Sequence, residues 1–466
     1  MTRIRSFVRI AAVALLALAI SIPMFAARGS ANFTKFVAIG DSYGAGYEAG
    51  SLNERHQVYS WPAIIAKQAG LTICPATAAA TDNCFAVPLI SYPGLPGGEL
   101  VYNGISVVQV PGSGAPLMSG FGRPFNNLSV PGYTVGAVLT IKGTEPIAGL
   151  GLPILRGLGT EVDQAIAQQP TFIAIWIGGN DFLGAVSQGD PTKLTSKDAF
   201  TAAYNSMLDK LVAGAPNAGM VVGTLPQTFA GPPLTSRLPS VIFDSSFRPV
   251  QFPAPVNGTV PFFYVPAGTT TPAAVPAGSI VLLSALSRIQ QGFGIPPTLK
   301  TTPPFSLLPH TGEPLTDAEI ITPAEQAAFA QGISDYNAAI VASASAHSVP
   351  VADIKGLFDR FATGVSYGGV TLTNTFVSGG LFSNDGVHLT DIGYALFANE
   401  YIKAINAAYG SEVPVASIAQ FFENNGANFG TGASVILTPA AASAMTSIFQ
   451  ETVPAEPAKK LRAAHH

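Results

Sequence analysis

Three short stretches carry the residue types that acyl transfer requires. Gly40-Asp41-Ser42-Tyr43-Gly44 sets a serine in a glycine-rich turn after the apolar run Phe36-Val-Ala-Ile39. Gly178-Gly179-Asn180-Asp181 follows a second apolar run, and Asp385-Gly386-Val387-His388 places an acid three residues before a histidine. A serine hydroxyl is a weak nucleophile until an imidazole accepts its proton. The imidazole works best when a carboxylate fixes its tautomer and stabilises the imidazolium, and the tetrahedral intermediate needs donors aimed at its oxyanion. Ser42, His388 and Asp385 are therefore candidate catalytic residues. The Ser42 N–H, the Gly132 N–H and the Asn180 side-chain amide are candidate oxyanion donors, Gly132 lying after Pro131 in the stretch Asn127-Leu-Ser-Val-Pro-Gly-Tyr-Thr134.

The glycines around Ser42 admit other meanings. Gly40-x-Ser42-x-Gly44 has the spacing of an α/β-hydrolase nucleophile elbow, but such an elbow follows several strands and an HGGG-type loop, whereas Ser42 ends the first strand. Gly40, Gly44 and Gly46 also suggest a dinucleotide loop. That site wants an acidic residue about 20 positions on, at the end of a second strand, and no clear strand stands there. A plain turn is the third meaning, since Gly, Asp and Ser are ordinary turn residues, and the same applies to Asp385 and Gly132.

The elements that must position these residues alternate. The run at 36–39 reads as a buried strand, and residues 61–70 as a helix with Ser60 as N-cap and Pro62 in its first turn. A helix at 160–168 precedes Phe172-Ile-Ala-Ile-Trp-Ile177, an apolar run that fits a strand buried on both faces of a parallel sheet. Helix 195–212, strand 220–224, helix 323–346 and strand 349–352 follow. Thr390 is a natural N-cap for a helix whose Ala395, Ala398, Ile402 and Ile405 recur at spacings of three and four. Such alternation points to an α/β fold with a mostly parallel sheet, and ligands in such sheets bind at the carboxyl ends of strands, where Asn180 and Asp181 sit.

With these stretches in order along the chain, the sequence resembles the GDSL, or SGNH, hydrolase family. Gly40-Asp41-Ser42-Tyr43 is similar to its first block, with Tyr in place of the commonest Leu; Gly132 matches the oxyanion glycine of the second; Gly178-Gly179-Asn180-Asp181 matches the third; Asp385-Gly386-Val387-His388 matches the last. The resemblance covers the core from about residue 36 to 405, without the two insertions at about 74–126 and 226–309 or the final extension. It implies a flavodoxin-like three-layer α/β/α fold and ester hydrolysis without metal or cofactor. The wording GGNDFL at 178–183 resembles the lipase-like branch. A carbohydrate acetylesterase of the same fold and a non-catalytic exported binding module stay open as alternatives.

Composition narrows the partners. Of 466 residues 11% are charged and the net charge is −4, so no basic field exists for nucleic acid. Arg3, Arg5 and Arg9 precede an uncharged run from Ile10 to Ile22 and the helix breaker Pro23, which reads as an export signal over residues 1–31; an uncleaved membrane anchor is the rival reading. The only two cysteines, Cys74 and Cys84, are expected to form one local disulfide. The hydrolase domain is expected over 32–410, with insertions at about 74–126 and 226–309 and an extension and tail at 411–466 that contains a helix at 438–450. Insertion 226–309, dense in Pro, Phe, Leu and Val, is a candidate acyl-binding surface or lid with possible lipid contact. His56 and His310 fall in loops, His347 near a helix C-terminus, and no metal-ligand spacing is present. Sequons stand at Asn32, Asn127 and Asn257.

Overall fold

Four parallel strands carry the fold: β1 (Phe36–Gly40), β2 (Phe172–Trp176), β3 (Gly219–Gly223) and β4 (Val351–Ala352), hydrogen-bonded in that order. The computed structural model describes residues 27–145, 149–227, 241–243, 249–251, 262–299, 301, 306, 308–422, 436–437 and 445. Residues 1–26 of the export signal expected over 1–31, the helix expected at 438–450 and the sequon at Asn257 lie outside the described residues, Met445 apart.

The register runs from Phe36 opposite Phe172 to Gly40 opposite Trp176, so the first two strands end level with one another. Every residue of β1, β2 and β3 is buried, which is what continuous apolar runs require of a sheet covered on both faces. Residues 126–130 run along the free edge of β1: the Ala38 N–H donates to the Asn126 carbonyl at 2.8 Å, Leu128 N–H to Ala38 O at 3.0 Å, and Val130 N–H to Gly40 O at 3.1 Å. The chain therefore leaves β1 toward one side and returns on the other side as β2. Such a reversal opens a crevice at the carboxyl ends of the strands.

The helices that frame the site and the sheet are α1 (Ser42–Ala45), α2 (Glu54–Gln57), α3 (Trp61–Gln68), α4 (Glu161–Ala167), α5 (Asn180–Ser187), α6 (Lys197–Gly214), α7 (Pro323–Ala346), α8 (Ile354–Thr363) and α9 (Asp391–Tyr409). Trp61 of α3 stacks on Tyr401 of α9 at 4.6 Å, and the Tyr401 hydroxyl donates to the Ile175 carbonyl at 2.7 Å, pinning α9 to β2. Phe200 of α6 stacks on Tyr336 of α7 at 4.1 Å. Thr160, Thr322 and Thr390 cap their helices as acceptors from the third helical N–H. Ser60 departs from expectation: it stands at the N-cap of α3, but its buried hydroxyl makes no capping bond. Pro62 removes the second helical N–H, but the third, of Ala63, is the one the threonine caps use, and nothing in the structure explains why Ser60 leaves it.

Block 74–126 is more than loop. Cys74 and Cys84 are joined as expected, and Phe85, Val87, Ile90 and Phe125 are buried in the main core. The Arg123 guanidinium holds this irregular backbone by donating to Asn126 Oδ1 at 2.8 Å and to Cys84 O at 3.1 Å. The described part of the second insertion packs Phe262, Tyr264, Leu286 and Ile289 against Leu315 and Ile320, forming a separate apolar cluster. Among the described residues no helix is long and apolar enough to cross a membrane.

Candidate active site

Ser42 is the first residue of α1, two residues beyond Gly40 at the end of β1. Asp41 is extended and caps this short helix, its Oδ1 accepting the Tyr43 N–H at 3.0 Å. Asn127 Nδ2 donates to the Gly44 carbonyl at 2.7 Å, and the left-handed Gly46 closes the turn. A Cβ on Gly44 would lie 2.2 Å from Ser129 Oγ, so this glycine permits close packing against the neighbouring edge segment. The turn that presents Ser42 is thus fixed from both sides.

His388 and Asp385 form the second part. Asp385 is fully buried, and its Oδ2 lies 2.8 Å from His388 Nδ1 while also accepting the Gly50 N–H at 2.8 Å. Its Oδ1 accepts the Val387 and His388 N–H groups at 2.8 and 2.9 Å. Burial alone would raise this carboxyl, but His388 and the backbone donors outweigh it and hold the group at about 2. An ionised carboxylate can only accept, so it demands a proton on Nδ1 and leaves Nε2 of the neutral ring as a base. Tyr43 and Tyr47 flank the imidazole, with ring centroids 5.6 and 4.7 Å away. The Tyr43 hydroxyl donates to the Val387 carbonyl at 2.6 Å, joining the serine turn to the histidine turn.

Gly132 and Asn180 are brought together through Tyr133. Gly132 has φ 84°, a conformation that favours glycine, and the next carbonyl, of Tyr133, accepts from Asn180 Nδ2 at 2.9 Å. Asp181 Oδ2 accepts the Val135 N–H at 3.0 Å. One Asn180 amide hydrogen is spent on Tyr133, and the amide has a second. Burial pushes the Asp41 carboxyl up to about 8, with Asp181 adding to the rise, and burial pushes Asp181 up to about 6.

Glu161 was not legible as a site residue. It is fully buried at the start of α4, and its Oε2 accepts the Gly40 N–H at 3.0 Å, just before the serine turn. Burial pushes its carboxyl well above the usual range. In the sequence an acid at the first position of a capped helix reads only as a partner for the helix dipole. His56 also departs from expectation, lying on α2 rather than in a loop, with Glu48, Glu99 and Asp391 around its ring. His347 caps α7 as expected and pairs with Asp209 at 2.8 Å.

No family model matches the sequence, and no curated protein matches it. Among solved structures, the chain is similar to a family 3 carbohydrate esterase of Clostridium thermocellum at 12% identity, covering 81% of this chain and 98% of that one, with a TM-score of 0.31. It is similar to a putative GDSL-like lipase of Parabacteroides merdae at 12% identity, covering 82% and 99%, with a TM-score of 0.33. An extracellular lipase of Streptomyces rimosus matches at 14% identity over 80% and 99%, with a TM-score of 0.31. Likeness at this level fixes neither a substrate nor a catalytic residue.

Proposed function

We propose that this protein is a serine hydrolase of GDSL/SGNH type that cleaves carboxylic esters through an acyl-enzyme. The observation that carries the reading is the buried Asp385–His388 pair, 2.8 Å apart, in a turn bonded through Val387 to the residue after Ser42. Ser42 Oγ attacks the ester carbonyl carbon as its proton passes to His388 Nε2. The oxyanion is received by the N–H groups of Ser42 and Gly132 and the Asn180 amide. Collapse breaks the ester C–O bond, and the alcohol leaves with the proton from His388. Water then adds to the acyl-Ser42, His388 again taking and returning the proton, and the acid is released. No cofactor or metal enters these steps.

The arrangement read here is a flavodoxin-like three-layer α/β/α fold. The parallel pairing of residues 126–130 with the outer edge of β1 supports it, because it places the second chain segment beside the first and β2 on the opposite side. Acyl or lipid esters are the proposed substrates. In support, Val387 beside His388 and Leu183 on α5 both pack against the apolar cluster that the second insertion shares with Ala49, Leu100 and Val377. The Cys74–Cys84 disulfide supports an extracytoplasmic location.

Labelling with a fluorophosphonate probe tests the mechanism. Wild-type protein is expected to react stoichiometrically and Ser42→Ala not at all; equal labelling of both would end the Ser42 assignment. Nitrophenyl esters from acetyl to long acyl chains test the substrate class. Strict preference for acetyl would replace the acyl-lipid reading by a carbohydrate acetylesterase, and a folded protein inert to both probe and esters would mark a non-catalytic binding module.

A further inference from the structure

Glu48, which follows Tyr47 in sequence, belongs to a group of side chains that the hydrolytic reading leaves unused. His56 Nδ1 lies 3.2 Å from Glu48 Oε2 and 3.3 Å from Asp391 Oδ1, and one ligand atom from each of the three residues lies within 4.8 Å of the others. Two atoms bound to one divalent ion at roughly 2.0–2.2 Å in tetrahedral or octahedral directions stand about 3 to 3.5 Å apart. The His56–carboxylate separations are of that size.

Glu48 is 5% exposed, and its Oε2 faces His56 Nδ1 at ion-pair distance. Three carboxylates gathered around one imidazole in such surroundings are expensive to desolvate. On the far side of the ring, Glu99 Oε1 lies 3.4 Å from His56 Nε2. A carboxylate there can hold the Nε2 proton while an ion takes the place of the proton on Nδ1 between Glu48 and Asp391, the orientation that metal-binding histidines take. The neighbouring cations point elsewhere: Lys67 Nζ donates to the Val58 carbonyl at 2.8 Å, and the Arg55 guanidinium lies 3.6 Å from the centre of the Tyr92 ring. Even a charged imidazole would offset one of the three carboxylates.

We propose that Glu48, His56 and Asp391 form a binding site for one divalent ion of the zinc or manganese class, with Glu99 orienting His56. One imidazole nitrogen and two carboxylate oxygens suit such ions. Glu48 follows Ser42 by six residues and Asp391 follows His388 by three. The ion would therefore clamp the loop after the serine turn to the start of α9, a structural role that stands apart from ester hydrolysis.

The test is metal binding by the full chain. Protein stripped with a chelator and dialysed is titrated calorimetrically with zinc chloride and, separately, manganese chloride, and its thermal midpoint is read with and without excess metal. One equivalent of saturable binding by at least one ion is expected, with a midpoint raised by about 3 °C or more. Glu48→Gln should abolish both effects, and Glu99→Gln should weaken affinity about 10- to 100-fold. If Glu48→Gln folds poorly, the Glu99→Gln arm decides alone. No saturable binding of either ion would overturn the site. So would wild-type affinity in both variants, which would assign binding elsewhere, for example to His465 and His466 at the chain end. Fluorophosphonate labelling of Ser42 is read separately, so either proposal can fail without the other.

Discussion

Tyr43 and Val387 stand 344 residues apart in sequence and share a hydrogen bond of 2.6 Å from the Tyr43 hydroxyl to the Val387 carbonyl. Each is the immediate neighbour of a proposed catalytic residue. The aromatic side chain at this position is thus more than an alternative to a leucine: its hydroxyl sets the spacing between the two turns. Tyr43→Phe keeps the ring and removes the bond. It should reduce kcat by several-fold to about tenfold with little change in KM, and lower stability by about 1 kcal/mol, as for a typical lost hydrogen bond. Steady-state kinetics with urea denaturation checks both effects, and an unchanged kcat would remove Tyr43 from any positioning role.

The Asp385 carboxyl, held at about 2 in the native protein, has an ordinary value of about 3.9 when unfolded. The native state therefore favours its ionised form. Its contribution to stability is complete above about pH 4 and disappears as pH falls toward 2. Asp385→Asn should flatten this acid limb in denaturation midpoints measured from pH 5 to pH 2. The same substitution leaves His388 free to take the wrong tautomer and should lower kcat by about three to four orders of magnitude.

Asp41 has the opposite sign. Burial raises its carboxyl to about 8, so between about pH 4 and pH 8 the native state holds a proton that the unfolded chain has released. Stability from this group falls as pH rises through that window. Asp41→Asn retains an acceptor for the Tyr43 N–H and is neutral throughout. Relative to wild type, its urea midpoint should rise between pH 5 and pH 8; parallel pH profiles for the two proteins would show that Asp41 is already ionised when folded.

Asn180→Ala removes the donor to the Tyr133 carbonyl at 2.9 Å and, on the proposed mechanism, an oxyanion donor. Loss of one such donor typically lowers kcat by about 10²- to 10³-fold. KM should change little, since the ground-state carbonyl gains less from that contact. A rise in KM with kcat preserved would move Asn180 from the oxyanion site to substrate binding.

Much of the frame was legible because local chemistry agreed with tertiary demand. The runs at 36–39 and 172–177 are apolar at successive positions, and only a strand covered on both faces buries them all. Thr160, Thr322 and Thr390 cap through side chains that reach their own backbone, an interaction within four residues. Ser60 stands at the N-cap position without making the capping bond, an outcome its residue type does not foretell. In block 74–126 no periodicity marks Phe85, Val87 or Ile90 as core, since irregular backbone held by Arg123 and Asn126 has no period.

The sequence by itself determined the chemical repertoire: a serine, a histidine with an acid three residues before it, and an asparagine after an apolar strand, each at an element end. Those are properties of residue type and short spacing. Only the tertiary structure decided what surrounds them. The Gly50 N–H on Asp385, Glu161 beneath Gly40, and Glu48 and Asp391 meeting at His56 all join segments distant in sequence. Burial and long-range hydrogen bonds set the charge states of these groups, and neither leaves a mark in the local sequence.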